Sequence, residues 1–479
     1  MAIRTLTPNT VKAATEYNYL AASDLAEGLH KPDVNPMLVQ RYGRQDVTGL
    51  MDMLGQKKAV NALEFHHYEK DRLHGVTRVN SPIASAAAAG SAEIAFTVNT
   101  GYNVSYSGQS PYPTGDTFTA FSTPSKNDII EVKGVQFLVT AVNGSAYSAV
   151  AANSSAALPA IATSDDIIIL GSANPEASTA PESRSSRLLS YTNYLQTLRR
   201  THKVTGFEKG VKTWIEATGK DGQKGYFWYL EGIADEYHRF LNEREAILLA
   251  GQKITNLAGL AGVGTNSTGD ANSIVTTNGM IPQISAEGTV EGYTGGSFAL
   301  ADIENMVKNL QKYRGARENH LFVGHNLKLE LDRLFKTEFP QGAIQFNAFN
   351  GISNQEVRYS FDGFEYGGFK FATKVLDIFS DPSFLGYAGG IYQDLGIVAP
   401  MGNTVTYNSA NASTGVTVPA MEIKYLDSDD GSRYMKEWIT GLGAGVATSD
   451  EDAYSVHFLS QVGLELYGLN RYGLFTKTA

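Results

Sequence analysis

The strongest pattern of apolar and polar positions along the chain is an amphipathic helix predicted over Tyr226–Gly251. At roughly 100° per residue, its apolar side chains fall on one stripe. The stripe consists of Tyr226, Leu230, Ile233, Tyr237, Phe240, Leu241 and Leu248. At 1.5 Å per residue such a helix is about 35 to 39 Å long, more than a compact domain usually needs. The pattern therefore predicts a spine with one face in a core.

The opposite side of this helix carries charged residues at helical spacing. Asp235 and Arg239, and likewise Arg239 and Glu243, lie four residues apart and can form ion pairs. Gly251 can adopt the left-handed conformation that ends many helices. These features predict a well-specified helix that ends at residue 251.

The segments before this helix have a different pattern. Residues 1–60 carry little periodic pattern and read as an arm, while Asn61–Arg78 partly alternates and predicts an extended strand. Residues 91–180 predict a separate β module, either a small barrel or a sandwich, because their apolar runs are short and closely spaced. Its predicted strands are Ile129–Val132, Val135–Val142, Tyr147–Val150 and Ile167–Leu170. Asn143-Gly144 is typical of a type I′ hairpin turn.

The segments that follow the helix predict a mixed α/β region. Thr255–Gly296 is rich in Gly, Asn, Ser and Thr and predicts a long loop. Apolar spacing then predicts a helix from Leu300 to Tyr313, a buried strand over His320–Val323 and a second helix around Leu327–Phe335. Residues 357–479 return to strands, with Gly367-Gly368 turning a hairpin.

Composition narrows the class of protein. The 479 residues favour two or three hydrophobic cores, and only 18% of them are charged, which is typical of contact surfaces or of an ordinary β-rich protein. The net charge of −10 argues against wrapping by nucleic acid, and the absence of cysteine excludes disulfides and thiolate metal sites. Neither a signal peptide nor a membrane span is predicted, so we expect maturation in a cytoplasm.

Catalytic signatures are missing from the sequence. No Walker A, H-E-x-x-H, G-x-S-x-G or dinucleotide glycine motif occurs. Asp427–Gly431 has its glycine where a calcium ligand is needed and reads as a solvated turn. His66 and His67 should point to opposite faces of a strand and so cannot share one metal ion. We therefore predict no enzyme activity and no cofactor.

Residues 181–220 concentrate the positive charge, with eight Lys or Arg against three acidic residues. Seven of the basic residues are candidates for contact with an acidic partner: Arg184, Arg187, Arg199, Arg200, Lys203, Lys209 and Lys212. The first five of these are candidate inter-subunit contacts. A solvated polar face is the alternative, since exposed charges are common. The partial alternation of the same segment predicts a strand that returns toward the helix.

The order of these parts, and the local patterns DEYHRFLNEREAILLAG, TTNGMIPQI, HLFVGHNLKLELDRL and FEYGGFKF, resemble the HK97-fold major capsid proteins of tailed bacteriophages, with crAss-like phages the nearest group. The resemblance implies an α+β fold. Its parts would be an N-terminal arm (1–60), an E-loop (61–90 and 181–220), an inserted β domain (91–180), a peripheral domain with the spine helix (221–258 and 401–479) and an axial α/β domain (259–400).

This resemblance also implies a function. The chain would self-assemble into hexamers and pentamers that form an icosahedral shell around double-stranded DNA, in the virion and after assembly in the bacterial cytoplasm. Portal, scaffold and auxiliary capsid or head-fibre proteins would be its partners, and no membrane would be involved. We expect noncovalent assembly, because no Lys and Asn match the crosslinking pair of some family members. A glycan-binding adhesin that uses the β insertion is the alternative, and a glycosidase is a third hypothesis.

Three residues of the long helix complete the set of candidate inter-subunit contacts. Trp228 and Leu249 are apolar but fall on its otherwise polar side, which predicts a second contact face. Arg244 falls on the apolar stripe, either as a long side chain that reaches water from the edge of the stripe or as one half of an inter-subunit ion pair.

Overall fold

The computed structural model describes residues 56–70, 77–81, 93–98, 123–153, 161–163, 165–178, 188–212, 216–222, 224–225, 227–254, 274–338, 363–387, 390–406, 416–428, 431–442 and 450–478. Most of the predicted arm therefore lies outside the described residues. The described chain falls into two units. The first takes its residues from 199–242 and 436–459, and the second from 56–198, 243–435 and 460–478.

Within these residues the elements are as follows. The strands are β1 (Gln56–Val60), β2 (Glu64–Lys70), β3 (Thr77–Arg78), β4 (Ile94–Thr97), β5 (Asp128–Val132), β6 (Val135–Asn143), β7 (Ala146–Ala151), β8 (Asp166–Ser172), β9 (Leu188–Tyr194), β10 (Gln196–Thr205), β11 (Ala217–Thr218), β12 (Lys224–Gly225), β13 (Thr289–Thr294), β14 (Glu318–Val323), β15 (Gly363–Tyr366), β16 (Phe369–Val375), β17 (Gly396–Pro400), β18 (Asn403–Thr406), β19 (Val416–Pro419), β20 (Met421–Ser428), β21 (Gly431–Ser432), β22 (Lys436–Gly441), β23 (Ala453–Leu466) and β24 (Gly473–Thr478). The α-helices are α1 (Gly206–Gly210), α2 (Trp228–Ala250), α3 (Met280–Glu287), α4 (Leu300–Lys312) and α5 (His325–Glu338), and short 3-10 helices cover Asp377–Phe379, Ile391–Asp394 and Leu469–Arg471. This mixture confirms the predicted α+β class.

The first unit holds the beginning of the long helix. Helix α2 spans Trp228–Ala250, close to the predicted range, and Phe240 of the apolar stripe is buried. The rings of Tyr237 and Phe240 lie 5.7 Å and 6.1 Å from the ring of Phe458 on β23. In the same unit β23 pairs antiparallel with β22. The predicted stripe is therefore the face that packs on a sheet, as amphipathic spacing requires.

The end of α2 differs from the prediction. Gly251 is not among the glycines with a positive φ, so the left-handed end predicted there is wrong. Its N–H donates to the carbonyl of Ile247 at 2.9 Å, which continues the helical pattern. A Cβ at Gly251 would lie only 2.5 Å from that carbonyl oxygen. Glycine is needed here for close approach of the backbone, and not for a special φ.

Residues 77–178 contain the predicted β module, which is a closed barrel. Its sheet order is β3-β8-β5-β6-β7-β4, and a bridge between Val79 and Val98 joins the two outer strands. All four strands predicted from the sequence are present. The interior is filled by apolar side chains that alternate along the strands, as in small barrels: Val79, Phe96, Val98, Ile130, Val132, Phe137, Val139, Tyr147, Ala149, Ile161 and Ile167.

The hairpin turn between β6 and β7 of the barrel differs in type from the prediction. Asn143 ends β6 and pairs with Ala146, and only Gly144 in the two-residue loop has a positive φ, of 60°. A type I′ turn needs positive φ at both loop residues, so the prediction for Asn143-Gly144 is wrong. Both residues of the Gly367-Gly368 loop have positive φ, of 59° and 78°, and the hairpin predicted there is confirmed.

Strands β2 and β9 form a separate two-stranded antiparallel ribbon, called the ribbon below. It pairs Glu64 with Tyr194 at one end and Lys70 with Leu188 at the other, which confirms the predicted returning strand. The strand predicted over Asn61–Arg78 is present as β2, and residues 71–76 lie outside the described residues. Its last two residues form β3 of the barrel, so the prediction of one long strand is wrong there. The ribbon is thus a distinct element of the second unit.

The α/β region is a six-stranded sheet in the order β13-β24-β17-β14-β16-β15. Helices α4 and α5 lie on it and share one core with β14, which confirms the predicted helix-strand-helix order. The loop predicted over Thr255–Gly296 is wrong in its second half, where α3 and β13 are found. Helix α3 is too short to show periodicity, and β13 takes its hydrogen bonds from the distant strand β24.

In the second unit β20 lies between β1, to which it is parallel, and the C-terminal half of β23, to which it is antiparallel. Its apolar side chains join the C-terminal part of α2 and helix α3 in one core. None of the helices that the structure describes is long and apolar enough to span a membrane.

Candidate functional site

The ribbon lies with one face against the C-terminal half of β23. Phe65 on β2 is buried, and a Cβ added to Gly463 of β23 would lie 2.8 Å from the Phe65 ring. The same Cβ would lie 2.6 Å from the carbonyl oxygen of Tyr194 on β9. Both strands of the ribbon therefore approach the backbone of β23 so closely that only glycine fits there.

Asn193 lies directly opposite Phe65 in the ribbon and links it to two other segments. Its side-chain amide donates to the carbonyl oxygens of Leu464 at 2.7 Å and Asn278 at 3.0 Å. Its Oδ1 accepts from the N–H of Asn278 at 3.0 Å and the hydroxyl of Thr277 at 3.3 Å. A buried Asn offers two donor hydrogens and an acceptor oxygen, and all are used here.

A second amide reinforces this link. Nε2 of Gln283 on α3 donates to the same two carbonyls, of Asn278 at 2.8 Å and of Leu464 at 3.2 Å. The N–H of Thr277 donates to Oε1 of Gln196, the first residue of β10, at 3.2 Å. We call Asn193, Gln196, Thr276–Gly279 and Gln283 the Asn193 node. The sequence pattern TTNGMIPQI supplies most of it.

The node also holds the end of α2. The N–H of Lys253 donates to Oδ1 of Asn278 at 2.6 Å, and the N–H of Gly279 donates to the carbonyl of Gly251 at 2.8 Å. A Cβ at Gly279 would lie 2.8 Å from the carbonyl oxygen of Ile247, so this position too needs glycine. The ribbon, β23 and the end of the long helix therefore meet at one set of hydrogen bonds.

Next to the node is a largely buried group of ionisable side chains, called the charge cluster. Its members are His67 and Glu69 of the ribbon, Glu422 and Lys424 of β20, and Glu465 and Tyr467 at the end of β23. Nδ1 of His67 lies 3.1 Å from Oε1 of Glu465, and its Nε2 lies 3.4 Å from Oε1 of Glu69. Nζ of Lys424 lies 2.7 Å from Oε2 of Glu465 and also pairs with Glu422.

Tyr467 completes the charge cluster. Its hydroxyl lies 2.7 Å from Oε2 of Glu465 and 2.9 Å from Oε2 of Glu422, and can donate its hydrogen to either carboxylate. Its ring meets the His67 ring edge-on, with 5.0 Å between ring centres. On its other side His67 stacks on Tyr191 of β9 at 5.1 Å. The imidazole is therefore fixed by both ion pairs and aromatic contacts.

These contacts shift the protonation of the cluster. Burial alone would lower the pKa of His67, but the hydrogen bonds to Glu465 and Glu69 outweigh it and raise that pKa from 6.5 to about 9. Burial would raise the pKa of Glu465, but the bonds from His67, Lys424 and Tyr467 lower that pKa to about 2. Burial raises the pKa of Tyr467, and its bond to Glu465 adds to the effect. At neutral pH the cluster holds an imidazolium ion between two carboxylates.

Glu287, the last residue of α3, has a different environment. Burial and the nearby charge of Glu69 raise the pKa of Glu287 to about 7. Its Oε2 is buried without a hydrogen-bond partner among the described residues.

Among the residues that the structure describes, no three His, Asp or Glu side chains come together as metal ligands do. The charge cluster is thus a paired network that fastens the ribbon.

The predicted basic contacts are partly placed by the structure. Arg199, Arg200 and Lys203 lie exposed on β10, while Arg184 and Arg187 lie outside the described residues. The Arg199 guanidinium lies 5.8 Å from the centre of the Trp438 ring, and Lys203 pairs with Glu451. The structure brings these three together only as neighbours on one strand, and their role as contacts stays a prediction.

The candidates on α2 have three different environments. Trp228 is 43% exposed, as an outer contact residue should be. Arg244 is buried, with its guanidinium 4.6 Å from the centre of the Tyr434 ring, and so does not reach water from the edge of the stripe. Leu249 is 0% exposed, so its predicted place on an outer face is wrong. The reason is that Leu249 belongs to the core that α2 shares with α3, β20 and the end of β23.

Sequence reasoning missed the large apolar side chains that are most exposed among the described residues. Phe207 on α1 is 81% exposed and Tyr68 on the ribbon is 70% exposed. For Tyr68 a signal was available, because strict alternation in β2 puts Glu64, His66 and Tyr68 on the face opposite Phe65 and His67. Exposed aromatic side chains are enriched at protein contacts.

Comparison with known proteins decides the family. A family model described as SU10 major capsid protein matches residues 32–365, more than half of the 479 residues. The chain belongs to the SU10 major capsid protein family. This confirms the prediction of a phage major capsid protein of the HK97 type and leaves the adhesin alternative without support. The assignment to crAss-like phages stays a prediction. No curated protein shows a significant match to this capsid protein.

Solved structures similar to the capsid protein include other capsids and phage proteins. One is titled the capsid of a native GTA particle computed with C5 symmetry, with 10% identity, a TM-score of 0.40 and coverage of 97% of this chain and 100% of that chain. Another, from Mycobacterium phage Bobi, has 9% identity, a TM-score of 0.41 and coverage of 96% and 99%. A third, from Mycobacterium phage Ogopogo, has 9% identity, a TM-score of 0.39 and coverage of 94% and 97%. With such TM-scores, the assignment rests on the family match.

Proposed function

We propose that this capsid protein assembles noncovalently into hexamers and pentamers that close an icosahedral shell around double-stranded DNA. The observation that carries the proposal is the ribbon. One of its faces is fixed on β23, while the other presents Tyr68, 70% exposed, and His66. A two-stranded ribbon is marginally stable in water, and a large exposed aromatic group favours burial by another protein surface. In a shell, a neighbouring copy supplies that surface.

The chain would be divided into the domains of a capsid protein. The arm is residues 1–60, the E-loop 61–90 and 181–220, the inserted β domain 91–180, the peripheral domain 221–258 and 401–479, and the axial domain 259–400. The ribbon would belong to the E-loop, and the barrel strands β4 to β8 to the insertion, while β3 of the barrel falls in the E-loop range. On the barrel, Ile168 and Leu170 are about half exposed, which supports a role in decorating the shell or bridging neighbours.

Other partners follow from the shell. Portal, scaffold and auxiliary or head-fibre proteins would complete it, in the virion and after assembly in the host cytoplasm. The net charge of −10 would limit sticking of packaged DNA to the inner wall. Many weak contacts per copy, each insufficient alone, would stabilise the shell through multivalency.

Electron microscopy of the purified full-length chain tests the proposal. Polyhedra, tubes or capsomers are expected, and a stable monomer that never assembles, even with phage scaffold, would overturn it.

The ribbon is tested by Tyr68→Ser, which should raise the concentration needed for assembly about tenfold. Tyr387→Ser removes another exposed tyrosine away from the ribbon and serves as the matched control. Equal effects of the two variants would show that the ribbon has no special part in assembly.

A further inference from the structure

We propose that Asn193 is a positioning residue: through the Asn193 node it sets the direction of the ribbon in the free protein, before copies meet. The inference rests on the proposed assembly function, because it concerns how the ribbon is presented to a neighbouring copy. It names a residue that has no direct part in the contact, since Asn193 is buried.

The first step is that the two strands of the ribbon are fastened separately. Strand β2 is held by the charge cluster, where His67 pairs with Glu465. Strand β9 is held by Asn193, which donates to the carbonyl of Leu464. A ribbon fixed through only one strand can rotate about that strand, whereas attachment through both strands fixes its tilt.

The second step is that loss of Asn193 would release the ribbon alone. Nε2 of Gln283 donates to the carbonyls of both Asn278 and Leu464, so those two segments stay linked without Asn193. The N–H of Asn278 and the hydroxyl of Thr277 would lose the acceptor oxygen, and β9 would lose its side-chain hydrogen bond to Leu464 of β23. Within the node, Gln283 therefore links the segments of Asn278 and Leu464 to each other, and Asn193 links the ribbon to both segments.

The third step links the ribbon to the long helix. Asn278, which shares three hydrogen bonds of the node with Asn193 and Gln283, also accepts the N–H of Lys253 just beyond α2. The direction of the ribbon is thereby set with reference to the end of the helix. A free copy with a fixed ribbon loses less conformational entropy on assembly than one with a loose ribbon.

Hydrogen exchange on the full-length, unassembled protein tests the attachment. In Asn193→Ala, amides of β2 and β9 should exchange about tenfold faster, while amides of the barrel strands β5 to β8 keep wild-type rates. Asn319→Ala is the matched control. Asn319 lies in β14, is also buried, and donates to one backbone carbonyl, that of Ala316 at 2.8 Å. It should leave the ribbon amides unchanged.

Asn193→Asp gives a second signature. The aspartate keeps the acceptor oxygen but loses both donor hydrogens, and protonation at acid pH returns one of them. Ribbon exchange in Asn193→Asp, compared with Asn193→Ala at each pH, should therefore slow as the pH falls from about 7 to about 5. A role in filling space alone would give the two variants the same pH dependence.

Light scattering of the same proteins then tests the link to assembly. Asn193→Ala should assemble about tenfold more slowly than wild type, with Asn319→Ala close to wild type. Unchanged ribbon exchange in Asn193→Ala, or a loosened ribbon with assembly at the wild-type rate, would overturn the positioning role. A wild type that never assembles would instead sink the proposed function.

Discussion

His67 on the ribbon and Glu465 at the end of β23 form a largely buried ion pair, with Nδ1 and Oε1 3.1 Å apart. The pair joins residues far apart in the sequence and belongs to a cluster with three carboxylates, one ammonium ion and one imidazolium ion. Glu465 lies between His67 and Lys424 and contacts both. A neutral His67 would leave that carboxylate dependent on Lys424 and Tyr467 alone.

The first prediction concerns alkaline pH. The pKa of His67 is about 9 in the folded protein against 6.5 as its ordinary value, so its stabilisation is complete below pH 6.5 and is lost as the pH rises through about 9. The loss is on the order of 3 kcal/mol in the free energy of unfolding. Denaturant titrations of wild type and His67→Gln at pH 6 and pH 9.5 should show a fall in wild type that exceeds the fall in His67→Gln by about this amount.

His66→Gln is the control for this prediction. His66 is the adjacent residue on the ribbon, lies on the exposed face and bonds to the hydroxyl of Thr192 at 2.9 Å. Its variant should retain the wild-type dependence on pH. If His67→Gln and wild type lose the same stability between the two pH values, the ion pair is not the source of the effect.

The second prediction concerns Lys424. Lys424→Met should destabilise the protein by about 3–5 kcal/mol, because Glu422 and Glu465 would be left buried without their ammonium ion. Lys370→Met, which breaks the mostly exposed pair with Glu318, should cost less than about 1 kcal/mol. Chemical denaturation measures both, and equal costs would show that burial of the cluster does not matter.

The sequence predicted the elements whose signals are local. Helix α2, the barrel strands and the helix-strand-helix region all followed from periodicity and turn residues, which act within about ten residues. The alternation of β2 also separated His66 from His67 correctly. These features depend on the face of a helix or strand that a side chain occupies, and the local spacing of residues determines that face.

The candidate site could not be predicted in the same way. The charge cluster and the Asn193 node join segments near residues 67, 193, 278, 424 and 465, and no spacing within one element fixes such pairings. The prediction for Leu249 was wrong for the same reason, since only the fold shows that α3 and β20 cover its side of α2. TTNGMIPQI was noticed as a family-like pattern, but its role needed the partners that the fold brings to it.

The third prediction concerns Glu287. Its pKa is about 7 in the folded protein, above the ordinary value of 4.5, so the folded state holds a proton that the unfolded state releases and stability falls as the pH rises from 4.5 through 7. Glu287→Gln should therefore raise the melting temperature at pH 8 and change it little at pH 4.5. Glu365→Gln, at an exposed position of β15, controls for the charge change. A variant less stable than wild type at pH 8 would contradict the assignment.

The last prediction concerns the contact between the ribbon and β23. In Gly463→Ala the new Cβ would lie 2.6 Å from the Tyr194 carbonyl oxygen and 2.8 Å from the Phe65 ring, so the ribbon must move away. The cost should be about 1–3 kcal/mol in the free energy of unfolding, as for other overpacked sites. Gly171→Ala is the control, because Gly171 also lies in a strand and a Cβ there has nothing within 4 Å. The displaced ribbon would also separate His67 from Glu465. Gly463→Ala should therefore lose less stability than wild type as the pH rises through about 9. A variant that is destabilised but keeps the full alkaline response would mean that the ion pair forms without close docking of the ribbon.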